Sequence, residues 1–97
     1  MEVYSEVRSG EIAGSATAKQ LPDIDCRAVM FKAALSNTGN VYLGGVGVTK
    51  PDGTQDATTG LELDAGDVTQ FMPVRNLNVF YIICDNAGDD LVYLAVG

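Results

Sequence analysis

The chain has no histidine and no tryptophan, and only six basic residues against 13 acidic ones in 97. Without histidine, Ser–His and Cys–His centres are excluded, because a nucleophile at neutral pH needs an adjacent base. The bases are Arg8, Lys19, Arg27, Lys32, Lys50 and Arg75, and they form no run. With a net charge of −7, nucleic acid and anionic membrane are poor partners. No apolar run reaches the roughly 18 residues that a membrane helix needs. Met1 leads straight into the polar "EVYSEVRSGE", so no secretory leader is expected. Cysteine is also sparse. Cys26 and Cys84 could close one bridge, but both lie in apolar, strand-like stretches. In a reducing cytosol such residues are more often buried free thiols, and that is the expectation here.

What is present is β-forming sequence cut by turns. "GSATAKQLP" (14–22) alternates small residues and ends at Pro22. "CRAVMFKAAL" (26–35) has Val29, Phe31, Ala33 and Leu35 on one face under a period of two. Its residues also suit a helix, but Pro22 before it and "SNTGN" after it argue for a strand. "VYLGGVGV" (41–48) carries three glycines, which a helix would not tolerate cheaply. "KPDGTQDATTG" (50–60) is turn chemistry, and "LELD" (61–64) is a short strand. "LNVFYIICD" (77–85) and "LVYLAV" (91–96) are apolar on both faces, with the tight turn "NAGDD" between them. Seven or eight short strands with turns about every 8–12 residues indicate an all-β sandwich or barrel in one small domain. A strand apolar on both faces needs cover on the second, from an N-terminal arm, a loop or another subunit.

The acidic clusters suit turns better than catalysis. In "LELDAGDVTQF" (61–71), Glu62 and Asp64 lie opposite Leu61 and Leu63, and Gly66 suits a corner. A hairpin corner is expected there, with no base nearby to complete a carboxylate active site. "DNAGDD" (85–90) has the beginning of a calcium loop, but Ala87 stands at a ligand position and no glutamate follows. Asp23 and Asp25 of "PDIDC" are expected to solvate a strand start. "YLGGVG" (42–47) is not followed by the helix that a phosphate loop requires. No enzyme, metal or cofactor is expected.

From "AKQLPDIDCRAVMFKA" through "NTGNVYLGG" to "LELDAGDVTQFMPVRNLNVFYIICDNAGDDLVYLAVG", the order of pieces resembles small all-β virion proteins of tailed bacteriophages. The resemblance covers about residues 14–97. It implies a jelly-roll-like β-sandwich over 14–97. Residues 1–13 lie outside the resemblance and read as an extended N-terminal arm, in which the alternation of Val3, Ser5 and Val7 leaves room for one short strand. The resemblance also implies a head-decoration or head-fibre protein, made in the host cytoplasm and placed on the capsid exterior. The major capsid protein would be its partner, and a trimer its oligomer. The arm carries Val3, Tyr4, Val7 and Ile12, which are the candidate interface residues. The alternative is a tail- or fibre-associated module that binds a receptor or carbohydrate through exposed aromatics, with Tyr4, Tyr42, Phe71 and Tyr93 as candidates.

Overall fold

The computed structural model describes residues 3–97. These residues form seven strands: β1 (Val7–Ala13), β2 (Lys19–Gln20), β3 (Ala28–Ala33), β4 (Val41–Gly44), β5 (Leu61–Leu63), β6 (Tyr81–Cys84) and β7 (Asp90–Val96). They make two antiparallel sheets, ordered β1-β7-β3 and β2-β6-β4-β5. The inward residues Val29, Phe31, Val41, Leu63, Ile82, Cys84 and Leu91 fill the space between them. Phe31 meets Phe80 edge-on at 5.2 Å between ring centroids. Among the described residues, no helix is long and apolar enough to cross a membrane.

Residues 67–75 behave as an eighth, irregular strand beside β3. Met72 and Val29 exchange backbone hydrogen bonds at 2.8 and 3.0 Å, and the amide of Ala33 donates to the carbonyl of Asp67. Between them the Phe31 amide donates to the Thr69 hydroxyl, not to a carbonyl, so the ladder is interrupted. Counted in, the chain order of the sheets is 1-8-3-6 and 2-7-4-5. First pairs with last, second with seventh, third with sixth and fourth with fifth. A long antiparallel hairpin wound around a core gives that order, and the fold is a small jelly-roll-like β-sandwich.

Three details differ from the sequence reading. Residues 7–13, expected as part of an arm with at most one short strand outside the sandwich, are an edge strand of the sandwich itself, paired with β7 from Val7↔Val96 to Ala13↔Asp90. Residues 1 and 2 of that arm lie outside the described residues. The strand is hard to see because Gly10 interrupts its inward row. The Tyr93 ring fills that place, and a Cβ on Gly10 would stand 2.8 Å from the Tyr93 hydroxyl. Second, the corner at 64–67 is not a hairpin. β5 pairs with β4, and the corner carries the chain across to β3 in the other sheet. Asp67 closes it by accepting from the Asp64 amide at 2.9 Å, and Gly66 takes a φ of 87°. Third, "LNV" (77–79) is a 3-10 turn and not the start of a strand. The Asn76 side chain accepts from the amides of Asn78 and Ile24 and donates to Asp23 and Asp25. The turn drives Leu77 fully into the core.

The crossing from β1 to the other sheet runs through Gly14, where backbone passes against backbone. An added Cβ would overlap the Asp89 carbonyl and come within 2.9 Å of the Cys84 sulfur. Backbone cannot give way as a flexible side chain can. We expect Gly14→Ala to cost at least about 2 kcal/mol, or roughly 10 °C in Tm. Thermal unfolding followed by circular dichroism checks this.

Candidate functional site

In the antiparallel ladders, residues paired across strands share a face. Leu91, Tyr93 and Ala95 face the core with Phe31 and Val29, so Val92, Leu94 and Val96 face outward. Ala28 and Met30 of β3, and Val7 and Ser9 of β1, lie beside them. Val68 extends the same face beyond Lys32. Two shallow apolar hollows of about 280 Å³ each open on it. One lies among Met30, Lys32, Val68, Val92 and Leu94. The other is lined by Tyr4, Ala28, Phe71 and Val96. With strands about 4.8 Å apart and about 20 Å long, three strands and the flanking segment present about 400 Å². A patch of that size is among the largest that a typical monomer exposes, and such patches often serve binding.

The opposite sheet is treated differently. There the 45–60 loop folds back over the outer side of β4, burying Val48 and Tyr42. Val48 packs so closely on Gly44 and Gly60 that a Cβ on either would meet it within 2.8 Å. The second face of β4 is thus covered by a loop, whereas on the outer face of β1-β7-β3 Ala28 is buried and Met30, Val92, Leu94 and Val96 are half-buried, with no loop laid across them.

The four candidate interface residues do not act together. Val3 and Val7 are 81% and 70% exposed, and Tyr4, at 38%, borders the open face. Ile12 is only 5% exposed and belongs to the core, because it points inward from β1 toward the row of Leu91. Of the candidate aromatics, Phe71 and Tyr4 are exposed, Tyr42 is buried and Tyr93 is half-buried against Gly10.

The acids serve the loops. Asp89 is 2% exposed, and its Oδ1 accepts from the amides of Thr38 and Gly39 at 3.0 and 3.3 Å. Its Oδ2 accepts from the Asn86 amide group at 3.1 Å. Asp85 accepts from the Asn40 amide and the Tyr42 hydroxyl, and lies 3.4 Å from the Lys50 ammonium. Asp90 and Asn37 join backbone to side chain twice, at 2.7 and 2.9 Å. "SNTGN" and "DNAGDD" thereby interlock. Glu62 accepts from Asn40, while Asp64 and Asp67 close their own corner. Among the described residues, no three acid, thiol or imidazole groups converge as a metal-ligand set. Sequence reasoning identified the turns but not Asp89 as their shared centre. Consecutive aspartates look alike until the partner loop is placed.

Both cysteines are free thiols. Burial pushes both up from the ordinary thiol range, with Asp25 adding to the effect at Cys26. Cys84 is fully buried as expected, but Cys26 is only half-buried, with its sulfur donating to the Val74 carbonyl at 3.3 Å.

Compared with known proteins, the chain matches no family model, no curated protein and no solved structure.

Two outcomes are expected from this geometry. Burial acts to raise the Asp89 carboxyl, but the amides of Thr38 and Gly39, with Asn86, outweigh it and hold the group below the ordinary carboxylate range. A carboxyl lowered in the folded state stabilises the fold above its unfolded value and stops doing so as pH falls through the folded one. Stability should therefore drop as pH falls below about 4. Asp89→Asn should flatten that drop and cost about 1–3 kcal/mol at neutral pH, because one buried donor then faces another. Urea unfolding across pH measures both. In native protein, a thiol reagent should label Cys26 slowly and Cys84 only after unfolding, which mass spectrometry of the two peptides would show.

Proposed function

We propose that the chain is a structural virion protein of a tailed bacteriophage, decorating and stabilising the capsid exterior as an oligomer bound to the major capsid protein. The observation that carries this is the open apolar face of β1-β7-β3, where Val92, Leu94, Val96, Met30 and Val68 lie outward. A sheet with both faces apolar is made to be covered, and a protein surface is its natural cover. The phage and the capsid exterior come from the sequence resemblance. An acidic exterior protein is also kept off the packaged DNA by its charge. The second reading, a receptor- or carbohydrate-binding tail module, draws on Tyr4 and Phe71, which line one hollow.

Particles assembled without the chain should release DNA at a lower temperature, and added protein should restore them. Deleting residues 1–4 removes Val3 and Tyr4 while leaving β1 whole, and should weaken head binding without unfolding the sandwich. Deletion to residue 11 would instead strip most of an edge strand. Immunogold labelling confined to tail tips, with unchanged head stability, would replace this reading with the second.

A further inference from the structure

The open face carries its own charge pattern. Glu11 and Lys32 both pair with Val92, one from each side, so the three form a single outward row. Lys32 has no carboxylate partner among the described residues, although it is half-buried. Glu11 stands by Asp90, and their shared hydrogen bond and like charge push its carboxyl up. The face thus holds an unpaired base on one flank and a crowded pair of acids on the other, with apolar residues between.

We propose that this face binds a second copy of the chain, sheet against sheet, about a two-fold axis running along β7. Rotation about that axis exchanges the flanks and keeps the rows. Glu11 of each copy then stands over Lys32 of the other, while Val92, Leu94 and Val96 meet their own counterparts. Stacked sheets lie about 10 Å apart, within reach of a glutamate and a lysine extended toward each other. A two-fold axis across the strands would instead set Glu11 over Val7 and Lys32 over Ala28, leaving every charge unpaired. Charge complementarity therefore selects one axis. The contact is isologous and closes on itself, unlike the trimer implied by the resemblance. The three strands that overlap under this axis present about 300 Å² from each copy, because residues 67–75 lie beyond β3 with no counterpart beside β1. That is well below the roughly 800 Å² per partner of a standard interface, so the dimer is expected to be weak and to form only at high concentration. The same axis brings both copies of Tyr4 out at one end of the pair, where they could face a common support.

This inference rests on the reading of the face as an assembly surface, and sedimentation equilibrium of the full chain tests it. A dimer is expected. Lys32→Glu or Glu11→Lys alone should weaken it at least about tenfold, since each puts two like-charge pairs across the contact. The double variant Glu11→Lys/Lys32→Glu restores the pairs and should return within about threefold of the original. Circular dichroism shows whether each variant is folded. A monomer or trimer at every concentration, or a double variant no better than the singles, overturns the dimer. Head binding of the unaltered chain is measured separately. Binding without a dimer would leave the capsid reading standing, and a dimer without binding would remove that reading alone.

Discussion

A buried carboxylate can be kept only where donors surround it, and Asp89 imposes that condition on one whole end of the sandwich. Its donors come from the loop between β3 and β4 and from its own turn. Both loops must therefore be in place together. The next residue, Asp90, is held by Asn37 and accepts from the Ala34 amide, which sets the register of β7 on β3. Gly14 passes against the Asp89 carbonyl, so the crossing from β1 depends on the same point. A charge-assisted network of this kind costs little when complete and much when one member is missing.

That register has a functional side. Shifting a strand by one residue turns every side chain to the opposite face. With β7 fixed, Leu91 and Tyr93 go inward, while Val92 and Leu94 go out beside Lys32 and Met30. The loop network thus determines which residues the open face displays, although none of its acids except Asp90 lies on that face.

Much of this was legible in the residues. β3, β4, β5 and β7 follow apolar alternation and turn chemistry, and the two-sided apolarity of 91–96 pointed to a face in need of cover. The rest depended on partners far away in sequence. Residues 7–13 resemble an arm because Arg8 and Gly10 occupy inward positions, and Gly10 makes sense only once Tyr93 is seen beside it. The 64–67 corner has the residues of a hairpin turn but joins two sheets, since turn chemistry sets the bend and not the strand that follows. Ile12 was grouped with Val3, Tyr4 and Val7 by hydrophobicity alone. Pairing with β7 separates it from them, because Ile12 faces the core and Val7 does not.

The place of β7 also has a consequence in time. It is the last strand along the chain and the middle strand of its sheet, with β1 on one side and β3 on the other. β1 and β3 have no contact ladder of their own to hold them together in its absence. During synthesis the three-stranded sheet has nothing to form on until residue 96 has left the ribosome, even though β1 was made first. Closing so long a loop before any pairing rewards it makes folding slow for a domain of this size. Until then the unfinished chain exposes the apolar strands meant for the core, and it relies on its acidic charge to stay apart from its neighbours.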